Sequence, residues 1–237
     1  MRTNSESIVA ITARDDSRDF TASVAITSSI YPDPDTHIEV VTYGRNADGQ
    51  VALMGNLTEG GDRRTRPLHF VLGMLRHPRA ALRLSWPRHW ARRTVILLVM
   101  QTLDSAIRIK VKRRLPGGAI VLTTEQDPDK PNIDLVPAAY DAAKWFAARL
   151  PGTPQASMPE AALAIPSTAH LLGGAVIASS PATGVVDSHQ RVFGYESLLV
   201  CDGAAVPANV GVNPSLTIAA MAERAIAHVP AKSEVPR

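Results

Sequence analysis

The longest uninterrupted apolar run in this 237-residue chain, Val95–Met100, has only six residues. A helix needs about 20 predominantly apolar residues to cross a bilayer, so the chain is not expected to span a membrane. Its first residues, Met1-Arg2-Thr3-Asn4-Ser5-Glu6, are polar and unlike the start of a signal peptide. We therefore expect a protein that is cytoplasmic or peripheral to a membrane.

The composition indicates a globular chain with a sizeable core. Hydrophobic residues make up 45% of the sequence and charged residues 20%, proportions that exclude disordered and collagen-like chains. A single cysteine, Cys201, excludes an internal disulfide and a multi-cysteine metal site, and we predict no metal.

Positive charge is concentrated in one segment, from Asp62 to Arg93. It holds nine arginines and one acid, a net charge of +8, whereas the whole chain carries +3. A helix with arginines on one face and leucines on the other is suited to an anionic membrane surface, but the pattern is more typical of a solvated helical insertion. Specific nucleic-acid binding is not expected, because no recognised binding motif accompanies the arginines.

Hydrophobic spacing predicts short strands and amphipathic helices in the first two thirds of the chain. Strands are predicted at Ser7–Thr12, Ser23–Ser28 and His37–Tyr43, and a hairpin at Ile107–Lys112 and Ala119–Thr124 through Pro116-Gly117-Gly118. Helices are predicted at Pro67–Arg83 and Pro137–Leu150. The stretch Pro151–Pro166, rich in proline and alanine, is interpreted as a connection.

The last part of the chain is dense in glycine and ends in the clearest helix. That helix opens at Asn213-Pro214-Ser215 and is predicted to run to about Val229. Asn213 is a favourable N-cap, and Pro214 suits the first helical position, where its missing N–H costs nothing. Leu198–Cys201 is predicted to be a short buried strand that ends at Asp202-Gly203.

Three features in this last part are candidates for chemistry. The N-terminus of the last helix presents unpaired N–H groups and about half a positive charge, which favour an anion or an electron-rich ring edge. His170 carries the side chain in this group that suits proton transfer near neutral pH, and Asp202 is placed to accept a ligand hydroxyl. Each residue alone is more often structural than functional; their order within some 45 residues favours function.

The same motifs, in the same order, resemble the C-terminal end of glucose–methanol–choline (GMC) flavoprotein oxidoreductases, and within that family the bacterial cholesterol oxidases most. The resemblance rests on His170-Leu171-Leu172-Gly173-Gly174, Asp202-Gly203-Ala204-Ala205-Val206-Pro207, Asn209-Val210-Gly211-Val212-Asn213-Pro214-Ser215 and Ala222-Glu223-Arg224. Upstream, Arg2-Thr3-Asn4-Ser5-Glu6 resembles the segment that leaves the family's FAD domain.

The resemblance implies an FAD cofactor and the oxidation of an alcohol, with the 3β-hydroxyl of a sterol as the expected substrate. His170 would position or deprotonate that hydroxyl, and Asn213 would lie near the flavin ring. The residues expected to face the cofactor are Asp202, Gly203, Asn213, Pro214 and Ser215.

Glu39, on the predicted strand His37–Tyr43, is a second catalytic candidate. The resemblance implies a carboxylate on a substrate-domain strand that moves the double bond of the steroid ketone. In an apolar pocket such a carboxyl would have a raised pKa, which suits proton transfer between ring carbons. A glutamate that faces solvent is the alternative, and the sequence leaves both open.

No Gly-x-Gly-x-x-Gly follows a strand in this sequence, although the family holds the FAD pyrophosphate on such a βαβ unit. We therefore expect the C-terminal portion of a longer oxidoreductase, with a separate chain as one source of the other half. An inactive fragment or interaction subunit that cannot bind FAD alone is the alternative.

The predicted fold class is α+β: a mostly antiparallel substrate-domain sheet with covering helices, joined to the C-terminal piece of a GMC-type FAD-binding domain. Residues 1–16 and 166–237 are assigned to the FAD domain and residues 17–165 to the substrate-binding domain.

Overall fold

The computed structural model describes residues 1–84, 88–114, 117–195 and 197–231, with the backbone alone at positions 83 and 84. Parts of three sequence predictions lie outside the described residues: positions 85–87 of the basic segment, Pro116 of the hairpin turn and positions 232–237 of the last domain.

The chain forms two compact units. We call the first the sheet unit; it comprises Ser5–Gln101 and Ile133–Thr168. We call the second the hairpin unit; it comprises Met1–Asn4, Thr102–Asn132 and Ala169–Arg237. The domain roles assigned from the sequence stay a prediction.

The described residues contain ten strands and six α-helices. The strands are β1 (Arg2–Thr3), β2 (Ser7–Ala13), β3 (Ile26–Asp33), β4 (Thr36–Val41), β5 (Met54–Asn56), β6 (Thr94–Gln101), β7 (Ile107–Arg114), β8 (Ala119–Gln126), β9 (Gly152–Ser157) and β10 (Leu171–Leu172). The helices are α1 (Arg66–Arg76), α2 (Pro78–Leu84), α3 (Trp90–Arg93), α4 (Pro137–Arg149), α5 (Met158–Leu163) and α6 (Ser215–Ile226).

The sheet unit is built on a six-stranded sheet with the order β3-β4-β6-β2-β9-β5. Every neighbouring pair is antiparallel, which confirms the predicted antiparallel sheet. Successive side chains of a strand point to opposite faces, so Val9 and Ile11 of β2 join Leu97 of β6 on one face. Ala139 and Ala143 of α4 pack against that face. The buried side chains of Val9, Ile11 and Leu97 each contribute about 1.5–3 kcal/mol of stability.

The predicted strand Ser7–Thr12 and the predicted helix Pro137–Leu150 are confirmed as β2 and α4. The predicted strand His37–Tyr43 is β4, which begins one residue earlier and ends at Val41. The strand predicted at Ser23–Ser28 begins three residues later in the structure, where β3 starts at Ile26.

The predicted helix Pro67–Arg83 is interrupted and forms two helices, α1 and α2. Pro78 opens α2, and the residue before a proline is disfavoured in the helical region. His77 accordingly leaves it, with φ −125° and ψ 57°.

The interpretation of Pro151–Pro166 as a connection is wrong. Its first half is β9, which lies between β2 and β5, and its second half is α5. Pairing on both sides outweighs the low strand propensity of Pro154, because strand formation depends mainly on neighbouring strands. Gly152 lies so close to β2 that a Cβ there would come within 2.6 Å of Ile11 Cγ2.

The hairpin unit takes its name from β7 and β8, which pair over their full length and confirm the predicted hairpin. Ion pairs lie across it, from Arg108 to Asp127 at 2.8 Å and from Lys110 to Glu125 at 2.6 Å. The prediction of a buried strand at Leu198–Cys201 is wrong, because this stretch makes only an isolated bridge, between Leu199 and Arg191.

Helix α6 is confirmed, with different ends. It starts at Ser215 with Pro214 as N-cap, one residue later than predicted, and ends at Ile226. The mixed α and β content with antiparallel sheets agrees with the predicted α+β class. Within the described ranges, no helix combines the length and apolar character needed to cross a bilayer.

Candidate cofactor-facing site

A two-stranded ladder in the hairpin unit positions His170. Strand β1 pairs antiparallel with β10, with Thr3 opposite Leu171. Asn4 directly follows β1, and His170 directly precedes β10. Asn4 is fully buried, and its Nδ2 donates a hydrogen bond to the backbone oxygen of Val212 at 2.9 Å. Asn4 therefore connects the end of β1, the strand that pairs with β10, to the residue that precedes Asn213.

Gly203 lies where β10 and α6 approach each other. A Cβ at this glycine would lie 3.2 Å from the Leu171 oxygen and 3.3 Å from Cδ1 of Ile218. The Gly203 oxygen also accepts a hydrogen bond from the Gly173 N–H at 2.9 Å. Leu171 follows His170, and Ile218 lies in the first turn of α6. The structure thus brings the segments of His170 and Asn213 together around Gly203.

The turn that leads into α6 is held by Asn209. Its Oδ1 accepts from the Gly211 N–H, and its Nδ2 donates to the backbone oxygen of Leu103, each at 2.8 Å. Gly211 is buried, with a φ of 66° in the left-handed region, which glycine adopts readily. Both contacts fix the backbone just before Asn213.

The N-terminus of α6 has the donors that an electron-rich ring edge needs. No described side chain caps it, and the Ile218 N–H already donates to the Pro214 oxygen at 2.8 Å. The earlier N–H groups of the first turn lie beyond the intrahelical ladder, at the positive end of a 12-residue helix dipole. Asn213 is half-buried and Ser215 exposed beside them. This donor set fits the pyrimidine edge of the predicted FAD.

Asp202 has a local structural partner. Its Oδ1 accepts a hydrogen bond from the Ala204 N–H at 2.8 Å and caps the short 3₁₀ helix Gly203–Ala205. The Asp202 side chain is exposed. Its carboxylate has acceptor capacity beyond this bond, and its role toward a ligand stays a prediction.

Glu39 belongs to the sheet unit, on β4 opposite Leu98 of β6 and Ser29 of β3. Only 6% of the residue is exposed, so it does not face solvent as one alternative proposed. Its Oε1 lies 3.8 Å from Nδ1 of His37, whose ring stacks on Tyr31 with centroids 4.4 Å apart. A buried carboxylate beside an imidazole is a plausible pair for proton transfer.

No group of three His, Cys, Asp or Glu side chains in the described ranges is arranged to hold a metal ion.

The sheet unit also contains a buried ionic cluster that is not predicted from the sequence. Arg66 is fully buried and donates to the Tyr140 hydroxyl at 2.9 Å, to the Glu160 backbone oxygen at 3.2 Å and to the Gly60 oxygen. The Glu160 carboxylate is also fully buried, and the Ser7 hydroxyl donates to it at 2.7 Å. The sequence does carry one sign that Arg66 is buried. It lies four residues before Phe70, which packs against the core, and the two residues therefore share a face of α1.

Burial changes the acidity of two groups in this cluster. Loss of solvation raises the pKa of Glu160 from 4.5 to about 7, and this effect exceeds the opposing effects of the Ser7 hydrogen bond and the Arg66 charge. Burial also raises the pKa of Tyr140, and the nearby Glu160 charge adds to that effect. The cluster ties α1 to α4 and α5 and is a structural element of the sheet unit.

A family model described as GMC oxidoreductase matches residues 104–222. The match includes His170, Asp202, Gly203, Asn213 and Ser215, whereas Glu39 lies outside it.

Two curated cholesterol oxidases are similar over nearly the whole chain. That of Mycobacterium tuberculosis (strain CDC 1551 / Oshkosh) is 43% identical over 242 residues, which cover 100% of this chain and 42% of the relative. That of Acinetobacter baumannii is 42% identical over 234 residues, covering 98% and 41%. The chain therefore spans less than half the length of these relatives.

A solved structure, pyridoxine 4-oxidase from Mesorbium loti, aligns with 94% of this chain and 42% of its own, at 15% identity and a TM-score of 0.49.

Proposed function

This chain belongs to the GMC oxidoreductase family, and from that premise we propose that it takes part in the FAD-dependent oxidation of the 3β-hydroxyl of a sterol. The family resemblance inferred from its motifs is confirmed. The sterol, the cofactor and the residue roles are proposals for this chain, supported by the similarity to two cholesterol oxidases.

One observation carries the proposal: Gly203 packs between the segment after His170 and the first turn of α6. This packing supports the proposal, because the residue after His170 and the first turn of α6 meet at the same glycine. Alcohol oxidation needs a group that accepts a proton and a group that stabilises negative charge, because the hydroxyl loses a proton while negative charge develops on the acceptor.

In this proposal the flavin, when bound, accepts the hydride from the carbinol carbon; the protein supplies orientation and electrostatics. Nε2 or Nδ1 of His170 accepts the hydroxyl proton of the substrate. The first-turn N–H groups of α6 and the Asn213 amide would hold the electron-rich ring edge, with Gly203, Pro214 and Ser215 beside it. The positive end of the helix dipole would favour negative charge on the ring.

Glu39 is proposed to act after the oxidation, on the steroid ketone. Its carboxylate would take a proton from one ring carbon and return it to another, which moves the double bond without a net change in atoms or electrons. Its burial opposite Leu98 supports this role, because it keeps the carboxylate away from bulk solvent.

Three partners belong to the proposal. Residues outside this sequence, on the same longer protein or on a separate chain, would supply the turn that binds the FAD pyrophosphate. The substrate would be an apolar, sterol-like small molecule. The basic segment of residues 62–93 would contact a membrane surface, which suits a substrate taken from lipid; specific nucleic acid is not a proposed partner.

The proposal is tested on the assembly of this chain with the polypeptide that supplies the dinucleotide-binding half. The assembly should retain flavin through purification, and 3β-hydroxysteroids should bleach its visible absorbance anaerobically faster than short primary alcohols do. Retained flavin that no steroid alcohol reduces would contradict the sterol assignment. A colourless folded assembly would favour an inactive fragment or interaction subunit.

A further inference from the structure

A basic cavity opens on the sheet unit at the end of α1. Its volume is about 840 Å³, within the range of small-molecule sites. Asn56 of β5, Leu57 just after it and Gly152–Pro154 of β9 line it. Residues 76–80 of the α1–α2 junction line it as well. All of its lining residues belong to the sheet unit.

Four cationic side chains from four different elements converge on this cavity. They are Arg14 after β2, Arg76 at the end of α1, Arg79 in α2 and Lys144 in α4. Glu59 is the one acid in the lining, and it pairs with Lys144 at 2.8 Å. The three arginines have no acidic partner among the described residues. A concave site with an excess of positive charge concentrates anions.

Asn56 gives an independent indication of a missing ligand. Both its Nδ2 and its Oδ1 are buried, and neither has a hydrogen-bond partner in the described structure. Leaving a buried donor unsatisfied costs about 1–3 kcal/mol. Asn56 also lines the cavity, so an unsatisfied donor lies in the wall of the pocket that the arginines line.

We infer that this cavity binds a phosphate group carried by a larger molecule. Guanidinium groups present paired N–H donors that match phosphate oxygens, and several arginines together balance more than one negative charge. The cavity is much larger than a free phosphate ion, so the phosphate belongs to a soluble phosphate ester or to a lipid headgroup. This inference does not depend on the proposed sterol oxidation, because Arg14, Arg76, Arg79 and Asn56 have no part in that chemistry.

The test measures inorganic phosphate binding to the full chain by calorimetry at constant ionic strength. Arg76→Ala combined with Arg79→Ala should weaken binding at least tenfold, since a hydrogen bond to a charged group contributes about 1.5–3 kcal/mol. Arg64→Ala is the matched control, because this arginine is also exposed in the basic segment but does not line the cavity. The control should leave the Kd within about twofold.

Asn56→Leu separates a ligand-binding role from a structural one. Replacing a buried unsatisfied amide by an apolar side chain of similar size should preserve or raise the melting temperature, and it should weaken phosphate binding. Absence of phosphate binding by the wild-type chain, or equal weakening by the Arg64→Ala control, would overturn the inference.

Vesicles distinguish the two sources of the phosphate. If the chain binds phosphatidylcholine vesicles only when they contain phosphatidylglycerol, and inorganic phosphate displaces it, the cavity takes a lipid headgroup. If inorganic phosphate binds but the chain binds vesicles neither with nor without phosphatidylglycerol, the ligand is a soluble phosphate ester. Both results support the cavity as a phosphate site.

Discussion

Asn4 donates its side-chain amide to the backbone oxygen of Val212 across 2.9 Å, and these residues lie 208 positions apart in the sequence. The bond connects the end of β1 with the turn into α6. Since β1 also pairs with β10, one buried asparagine links the strand after His170 to the start of the helix after Asn213. The proposed chemistry requires these two segments to keep this relationship.

Replacing His170 by alanine should slow flavin reduction by alcohol about 10²-fold or more in the flavin-loaded assembly, on the usual magnitude of general base catalysis. Anaerobic stopped-flow absorbance measures this rate directly.

His189→Ala is the matched control for that prediction. His189 lies in the same unit, stacked on His228 with ring centroids 4.1 Å apart. Its replacement should leave the reduction rate nearly unchanged. Equal rates for wild type and His170→Ala would remove His170 from the mechanism.

Gly211→Ala should destabilise the hairpin unit and weaken flavin retention. The left-handed backbone costs a non-glycine residue about 1–2 kcal/mol, and the added Cβ would overlap Cγ2 of Thr102, with a further cost of about 1–3 kcal/mol. Thermal unfolding measures the loss. Gly194→Ala is the control, because Gly194 has a φ of 82° and open space around it. If both variants lose the same stability, the contact with Thr102 is unimportant.

Glu39→Gln should preserve alcohol oxidation and abolish isomerisation of the steroid product. Glutamine keeps the shape of the side chain but cannot accept a proton from a ring carbon. Chromatography of the steroid products measures the ratio of isomerised to unisomerised ketone. Glu125→Gln, in the exposed part of the hairpin, should not alter that ratio. An unchanged ratio in Glu39→Gln would assign Glu39 a structural role.

Glu160 should make the stability of the sheet unit depend on pH. Its pKa is about 7 in the folded chain, against 4.5 for the free side chain. The folded chain therefore binds this proton more tightly than the unfolded chain does, and the free energy of unfolding falls as the pH rises between these two values. The expected loss is at most about 3 kcal/mol.

Urea unfolding across that pH range measures the effect, and Glu160→Gln should remove this part of the pH dependence. Glu59→Gln serves as the control, since Glu59 is exposed and makes a surface pair with Lys144. A pH dependence that persists in Glu160→Gln would show that other groups cause it.

Local patterns predicted the elements that are stabilised locally. The hairpin β7–β8, helix α4 and helix α6 follow from alternation or helical spacing bounded by Pro and Gly. Strand β9 was missed because its stability comes from β2 and β5, which lie far away in the sequence. The interpretation of Leu198–Cys201 as a strand failed for the opposite reason, since an apolar run found no strand to pair with along its length.

From the sequence, candidate site residues could be predicted only where they belong to a recognisable short motif. His170, Asp202, Gly203 and Asn213 were singled out by the order of short motifs, and their roles stay predictions. The structure shows that Gly203 packs against Leu171 and Ile218. Asn4 and Arg66 were not predicted to connect distant elements, because a single polar residue has no periodicity and its burial appears only after folding.

Hydrogen–deuterium exchange of the assembly, with and without FAD, tests the central claim most directly. FAD should slow amide exchange in residues 203–205 and in residues 213–217, and should leave the hairpin strands β7 and β8 unchanged. Bound FAD without protection at the N-terminus of α6 would contradict the account, because the flavin would then lie elsewhere.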